Sequence, residues 1–142
     1  MAFTRPVAGA DISAEDFGQP VYDWIAAAGA GPWAGLTFAA NWSNYPGFVS
    51  CQIRKRGTQV VELRGVAQRI NSGLTAGTTA DLCILPAGYF PVGAILIPAI
   101  CGFATPDICR MDIVPAGKIT VQPRIQIDLN GYVGFSGVYW ID

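Results

Sequence analysis

Few residues in this sequence could carry out chemistry. The chain has no histidine, which excludes Ser-His-Asp and Cys-His catalytic centres and removes the commonest metal ligand. Acid-base catalysis would then need paired carboxylates, and the candidates in the β-rich part are Asp81, Asp107 and Asp112. Asp107 and Asp112 would point to opposite faces of a regular strand. No glycine-rich phosphate-binding motif follows a strand and opens a helix. We therefore expect a protein that is not an enzyme and needs no cofactor.

The four cysteines show no metal-binding pattern. None of them forms a Cys-x-x-Cys pair, and without histidine the scattered thiolates would have to converge on a zinc ion. These residues are Cys51, Cys83, Cys101 and Cys109. We expect no metal site, and we expect the cysteines to be small buried apolar residues in a protein made in a reducing cytoplasm.

The chain shows no targeting or membrane-spanning pattern. Residues 1–11 lack the apolar core of a secretory signal. The longest apolar run, residues 92–104, is interrupted by Pro98 and Gly102 and is too short to cross a bilayer. We expect no insertion into a membrane.

Aromatic side chains are the remaining candidates for binding. Trp42 and Tyr45 lie in a polar loop, and Tyr89 and Phe90 lie at a proline-rich corner. Rings on loops can form a stacking platform for a sugar, whereas an aromatic beside proline or glycine often plugs the end of a sandwich. We predict Trp42 and Tyr45 as ligand-binding residues, and the plug is the alternative.

The elements that would position these residues are short strands around a rigid corner. Residues 85–91 contain Pro86 and Pro91, which fix φ and donate no backbone hydrogen bond, so a strand must end on each side. Elsewhere apolar and polar residues alternate, as in residues 49–54, and Asn130 followed by glycine is a strong hairpin signal. About eight such strands predict an all-β fold, a jelly-roll-like β-sandwich of antiparallel strands.

A single short helix is predicted near the N-terminus. Ser13 is a suitable N-cap, and glycine and proline within residues 29–32 end the helix. The apolar stripe with helical spacing between them comprises Phe17, Val21, Trp24 and Ile25. This stripe either covers the chain's own β-domain or contacts other copies or a larger assembly. The predicted division is residues 1–31, an N-terminal arm and helix for trimerisation or virion attachment, and residues 32–142, the β-sandwich.

The chain is unusually apolar for a soluble domain. Charged residues make up 13% of it and apolar residues 51%, against about 25% charged residues in a typical domain. We expect the excess to lie in subunit contacts, because obligate interfaces resemble a domain core; the alternative is a monomer with a bland surface. The contacts predicted from the helical stripe and from two strands without a polar face are Phe17, Val21, Trp24, Ile25, Ile95, Ile97, Phe135 and Tyr139.

The net charge of −1 argues against nucleic acid as a partner. The nearest approach to a basic patch is Arg54-Lys55-Arg56. It is predicted to lie at a hairpin tip, where a solvated turn is the ordinary explanation.

The order of several motifs resembles a module common in tailed-bacteriophage virion proteins. The resemblance extends from about Ile12 to the end of the chain. The motifs are Ala10-Asp11-Ile12-Ser13-Ala14-Glu15-Asp16-Phe17, Asn41-Trp42-Ser43-Asn44-Tyr45, Cys51-Gln52-Ile53-Arg54-Lys55-Arg56-Gly57, Val61-Glu62-Leu63-Arg64-Gly65, Leu85-Pro86-Ala87-Gly88-Tyr89-Phe90-Pro91 and Met111-Asp112-Ile113-Val114-Pro115-Ala116-Gly117-Lys118-Ile119.

This resemblance implies a trimeric jelly-roll module on the virion surface, as in minor tail proteins, receptor-binding tips and head fibres. The chain would be a non-enzymatic virion structural protein, assembled in the host cytoplasm and attached to other capsid or tail proteins through its N-terminal region. Two alternatives stay open: an adhesin at the tail that binds a host-surface glycan, and a capsid decoration protein that stabilises the head. The short chain, with no long shaft before the module, favours direct attachment to the capsid or tail.

Overall fold

The computed structural model describes residues 29–141, which form ten antiparallel strands and no helix. Within this range, then, no helix has the length and apolar character needed to cross a membrane. The strands are β1 (Ala34–Gly35), β2 (Thr37–Phe38), β3 (Trp42–Asn44), β4 (Gln52–Arg56), β5 (Val60–Arg69), β6 (Ala80–Ile84), β7 (Ile95–Gly102), β8 (Asp107–Val114), β9 (Lys118–Pro123) and β10 (Tyr132–Trp140).

The predicted antiparallel all-β class is confirmed, with ten strands in place of about eight. The additional strands are short: β1 and β2 have two residues each, and the predicted loop around Trp42 contains β3. The predicted helix lies outside the described residues, and so do four predicted contact residues, Phe17, Val21, Trp24 and Ile25. Jelly-roll connectivity and the division at residue 31 stay predictions.

Hydrogen bonds join the strands into one nearly closed sheet. The order is β1-β4-β5-β10-β7-β8-β9-β6-β2, and β3 pairs with β5. The two end strands are consecutive in the chain, because only Leu36 separates β1 from β2. β1 pairs with β4 and β2 pairs with β6. Residues 34–38 therefore connect both margins of the sheet, and we call this segment the clasp.

Backbone hydrogen bonds hold the clasp on both sides. The Leu36 N–H donates to the Cys51 carbonyl oxygen at 3.0 Å, and the Ala39 N–H donates to the Leu82 carbonyl oxygen at 3.0 Å. The Leu36 side chain is buried with the core. The clasp thus contributes an apolar side chain as well as strand pairing to the closure of the sheet.

The core lies on the inner face of this sheet. Side chains of β5 alternate between buried and half-buried along the whole strand, because successive residues point to opposite faces. Val61, Leu63 and Ala67 face the core, while Glu62 and Arg64 face outward. Fully burying one aliphatic side chain of this size stabilises the fold by about 1.5–3 kcal/mol. Large buried side chains from other strands include Ile53, Leu82, Met111, Ile113 and Ile119.

The proline corner at residues 85–91 is attached to the last strand. β6 ends at Ile84 and β7 begins at Ile95, which confirms the predicted interruption between two strands. The buried Tyr139 hydroxyl donates a hydrogen bond of 2.7 Å to the Tyr89 carbonyl oxygen. A buried hydroxyl needs such a partner, and here it also fixes the corner.

Four predicted contact residues on β7 and β10 belong to the subunit's own core. Ile97, Phe135 and Tyr139 are buried, and the half-buried Ile95 packs against them. Ile97, Phe135 and Tyr139 are therefore enclosed within the subunit, whereas the predicted contact at the half-buried Ile95 stays a prediction. The sequence does not distinguish the two faces of these strands, since both are apolar. The large apolar side chains on these two strands that face outward and are more than half exposed are Leu96, Ile100, Val138 and Trp140.

Gly65 permits a close approach between β5 and the residue before β4. Its φ is +148°, and a Cβ at this position would lie 2.4 Å from the Cys51 Cα. We expect Gly65→Ala to lower the free energy of unfolding by about 2–4 kcal/mol, because the clash is with backbone. Chemical denaturation measures this loss. Gly134→Ala is the control, since its Cβ would meet no atom nearer than 3.8 Å. Equal losses in the two variants would contradict the explanation.

Candidate binding groove

A groove of about 420 Å³ crosses the outer face of the sheet at β5, β10 and β7. Its volume lies within the range of about 300–1,000 Å³ that is typical of small-molecule sites. We call it the aromatic groove, and its lining residues are Tyr45, Phe48, Val66, Ile100, Phe103, Tyr132 and Gly134.

Three rings of the groove are oriented by one another. The Tyr45 and Phe48 ring centroids are 5.1 Å apart with an interplanar angle of 89°. The Tyr45 and Tyr132 centroids are 6.4 Å apart with an angle of 86°. Edge-to-face contacts of this kind are favourable because the positive ring edge meets the negative ring face. The wall of the groove is therefore ordered before any ligand arrives.

A short turn after β3 places Tyr45 and Phe48. The Tyr45 N–H donates to the Val66 carbonyl oxygen at 2.9 Å, and the Phe48 N–H donates to the Tyr45 carbonyl oxygen at 3.3 Å. Gly47 has a φ of +81°, which glycine adopts without the steric cost of a side chain. The turn thus presents two rings from a backbone that is bonded to β5.

Gly134 forms the floor of the groove. It pairs with Val66 of β5 on one side and with Ile100 of β7 on the other. A Cβ at this position would have only ordinary van der Waals contacts, the nearest at 3.8 and 3.9 Å. Packing therefore does not require glycine here, and the missing side chain gives the groove its depth.

The chemistry of the groove suits binding. Its lining residues are uncharged, and the hydroxyls of Tyr45 and Tyr132 are its polar side-chain groups. Phe48 and Phe103 are more than half exposed. Aromatic faces can stack on the C–H face of a sugar ring, while the hydroxyls can donate and accept hydrogen bonds. A few polar groups in an apolar pocket commonly fix the orientation of a ligand.

The structure separates the two residues predicted to bind a ligand. Tyr45 lines the aromatic groove. Trp42 is only 4% exposed, and the Arg69 guanidinium lies 4.8 Å from its ring centroid. Trp42 therefore packs inside the fold, as the plug alternative expects, and does not present its ring to a ligand at the surface.

Sequence reasoning does not identify Phe48, Phe103 or Tyr132 as members of one site. Phe48 and Phe103 each follow a glycine, which marks a turn where a ring can stay exposed. Tyr132 begins β10, and β10 lies between β5 and β7 in the sheet. The three rings meet because of this strand order, and no local sequence pattern predicts that order.

The three candidate carboxylates do not converge. The ion pairs that they form are Asp81 with Lys118 (2.6 Å), Asp107 with Arg124 (3.0 Å) and Asp112 with Arg110 (2.8 Å). Within residues 29–141, no group of three or more His, Cys, Asp or Glu could hold a metal ion. These carboxylates are therefore paired with cations on the surface rather than with one another.

All four cysteines are free and buried, as predicted. Burial raises the pKa of the Cys51 thiol to about 12, and it also raises the pKa of the other three thiols. The thiolate is the reactive form of cysteine. At neutral pH these side chains consequently behave as small apolar groups.

A second surface, rich in arginine, lies on the outer face of β4 and β5. Arg54 and Arg56 both donate hydrogen bonds to Glu62. The guanidinium groups of Arg54 and Arg64 lie 4.3 and 4.0 Å from the Trp33 ring centroid, within the range of a cation–π contact. We call these five residues the basic surface. The basic triplet predicted at a hairpin tip therefore lies within β4.

Comparison with known proteins shows the fold. Twelve chains of solved structures match, among them the head domain of the lactococcal phage bIL170, which is a receptor-binding domain. The TM-score is 0.63 at 13% sequence identity, and the match covers 78% of this chain and 98% of the bIL170 chain. No protein-family model matches the sequence, and no curated protein does. The chain thus has the fold of a phage receptor-binding head domain.

The two arginines beside Glu62 control its ionisation. Burial opposes ionisation, but the hydrogen bonds and charges of Arg54 and Arg56 outweigh it and lower the pKa of Glu62. The resulting stability is present above about pH 5 and is lost as the pH falls through the lowered pKa. We expect Glu62→Gln to cost about 1 kcal/mol at neutral pH and to flatten the acid side of the stability profile.

Urea denaturation at a series of pH values measures this effect. Asp81→Asn is the matched control, because the ion pair of Asp81 with Lys118 is exposed and such pairs contribute little. If the free energy of unfolding depended on pH in the same way in Glu62→Gln and in the unmodified chain, the ion pairs of Glu62 would not be the source of the pH-dependent stability.

Proposed function

We propose that this chain is a non-enzymatic surface domain of a phage particle that binds a carbohydrate of the host cell through the aromatic groove. The observation that carries the proposal is the groove itself, in which edge-to-face rings stand beside a floor without a side chain. The likeness to a phage domain presented as receptor-binding supports the same setting. The location on the virion and the contact with the host surface belong to this proposal.

A carbohydrate suits the groove better than a charged ligand does. The lining residues supply no charge to pair with an ion. Phe48 is 62% exposed and Phe103 is 57% exposed, and covering apolar surface is favourable by about 25 cal/mol per Å². A sugar ring offers an apolar face to these rings and hydroxyls to Tyr45 and Tyr132.

The groove supports retention of the ligand rather than its cleavage. Glycoside hydrolysis ordinarily needs two carboxyl groups, about 5–9.5 Å apart, on either side of the scissile bond. None of the residues that line the groove carries a carboxyl group. A glycan held there would consequently remain intact, as an adhesion function requires.

The proposal includes a homotrimer, and the outward face of β7 supports it. Leu96 on β7 is 61% exposed and Ile108 on β8 is 68% exposed, and both line one depression that shares no residue with the aromatic groove. Contiguous exposed apolar patches mark interaction sites, and a standard interface removes about 800 Å² from each partner. Attachment to other virion proteins through the N-terminal region is the remaining part of the proposal.

Removing one ring tests the groove. We expect Phe48→Ala to weaken binding of a bacterial surface polysaccharide about tenfold, since a stacking contact of this kind contributes about 1.4 kcal/mol. Gly134→Val should reduce binding further because its side chain fills the floor. A polysaccharide array followed by calorimetry on the best ligand measures both effects.

The matched control is Trp140→Ala. Trp140 is 58% exposed, close to the value for Phe48, but it lies outside the groove, and we expect binding to be unchanged. Equal losses in Trp140→Ala and Phe48→Ala would contradict the site, and a lack of binding to every polysaccharide tested would remove the proposed function.

Light scattering tests the trimer. The expected mass is three times the 15.0 kDa of one chain. Ile108→Asp should dissociate the trimer without unfolding the subunit, because Ile108 is exposed and its replacement places a charge in the proposed contact. Leu129→Asp, at an exposed apolar residue that is not part of the proposed contact, is the control. A monomer at micromolar concentration would contradict the trimer.

A further inference from the structure

The floor of the aromatic groove continues along β5 and β10 in two directions. Gly134 pairs with Val66 across the two strands, and the next outward pair towards the start of β10 is Tyr132 with Gln68. Ser43 of β3 lies opposite Gln68 on the other side of β5. Residues directly opposite each other share one face of a sheet, and two residues along a strand amount to about 7 Å. The Gln68 amide and the Ser43 hydroxyl therefore lie one such step from the floor.

Two side-chain amides meet at the end of this row. The Gln68 Nε2 donates a hydrogen bond of 3.3 Å to the Asn130 Oδ1. Gln68 is half-buried and Asn130 is exposed. A side-chain amide has one acceptor oxygen and two N–H donors, so this bond leaves the Gln68 oxygen and the Asn130 NH₂ group side by side. We call these two residues the amide pair.

Backbone hydrogen bonds fix the position of the amide pair. The Asn130 N–H donates to the Arg69 carbonyl oxygen at 2.9 Å, and the Arg69 N–H donates to the Gly131 carbonyl oxygen at 2.7 Å. Asn130 has a φ of +66°, a conformation that asparagine adopts more readily than most residues. The turn is thereby attached to the end of β5 beside Gln68, and a ligand does not have to order it on binding.

We propose that the amide pair is a second subsite, which binds a vicinal diol of the sugar unit that follows the one in the aromatic groove. One hydroxyl of the diol donates to the Gln68 Oε1, and the other accepts from the Asn130 Nδ2. Adjacent hydroxyls suit this arrangement because each can both donate and accept. The inference rests on the proposed function and narrows the ligand to a polysaccharide with two consecutive uncharged sugar units.

The opposite direction along the strands fits such a ligand less well. There the next outward pair is Ser136 with Arg64. The Arg64 Nη2 donates to the Gln52 side-chain oxygen at 3.3 Å, and the Arg64 guanidinium lies 4.0 Å from the Trp33 ring centroid. Arg64 is therefore already engaged with its neighbours, whereas the amide pair still offers one acceptor and one donor.

The charge beside the amide pair also favours an uncharged ligand. Asp128 lies in the same turn as Asn130, since the Gly131 N–H donates to the Asp128 carbonyl oxygen at 2.9 Å. Asp128 is exposed, and its carboxylate would repel a sugar acid. The residues that line the groove carry no charge that would offset this repulsion. Neutral sugar units avoid the penalty.

Saccharides of two lengths test the second subsite. The probes are the constituent monosaccharides and the disaccharide fragments of the polysaccharide that binds most tightly on the array. We expect Gln68→Met and Asn130→Gly each to weaken disaccharide binding about fivefold, the contribution of one neutral hydrogen bond. Monosaccharide binding should be unchanged in both, because one unit fills only the groove. Phe48→Ala should weaken binding of both probes, and calorimetry or NMR titration measures each affinity.

Asn71→Gly is the matched control for Asn130→Gly. Asn71 is also exposed, it has a φ of +67°, and its side-chain amide donates to the Asn41 Oδ1 at 3.4 Å. Glycine adopts this conformation without steric cost, so both variants remove an amide and keep the turn. Asn71 does not line the groove, and we expect Asn71→Gly to bind the disaccharide as tightly as the unmodified chain does.

The possible outcomes separate the second subsite from the groove. Unchanged disaccharide binding in both amide variants, with a loss in Phe48→Ala, would overturn the subsite and retain the groove. Equal losses for the two probes would also overturn it, since the amides would then act on the first sugar unit. Binding that weakens strongly between about 50 and 500 mM salt would show a charged ligand and contradict the proposal. Failure of every saccharide to bind would overturn the proposed function as well.

Discussion

The pairing of the clasp with both margins of the sheet is the constraint on which the rest of the structure depends. An open sheet would leave unpaired backbone groups along β4 and β6, which would expose the core and invite pairing with other chains. Because β1 pairs with β4 and β2 pairs with β6, side chains such as Ile53 and Leu82 are fully enclosed. Closure also gives every strand an inner and an outer face. The aromatic groove, the basic surface and the apolar face of β7 all lie on the outer one.

Where one face of a strand is polar, the sequence predicts the structure well. β5 is the clearest case, since Val61 and Leu63 face the core while Glu62 and Arg64 face outward. The corner after β6 follows from the backbone chemistry of proline. The same alternation misleads in the segment before β10: Ile125, Ile127 and Leu129 have the pattern of a strand, but only Ile127 forms a bridge, with Leu74. A pattern of period two does not show whether a neighbouring strand is available.

The remaining features depend on strand order. β7 and β10 are apolar on both sides, so the sequence gives no reason to place Ile97 or Phe135 inside and Leu96 or Val138 outside. The candidate site has the same dependence. Tyr45 is predicted from its place in a polar loop, but its partners Phe48 and Tyr132 come from segments that meet only because β10 lies between β5 and β7. Trp42 lies in the same predicted polar loop as Tyr45, but its ring is turned into the core and packs against Arg69. A place in a polar loop therefore does not show whether a ring is exposed.

The construction of the groove separates what must stay constant from what can change. Its floor is part of the hydrogen-bonded sheet, where Gly134 pairs on both sides, whereas Phe48 and Phe103 lie in the connections that follow β3 and β7. Substitutions in those connections alter the walls without breaking strand pairing. Under the proposed function, a phage could therefore shift its host range by exchanging a few turn residues while the scaffold, and with it the assembly of the particle, is preserved.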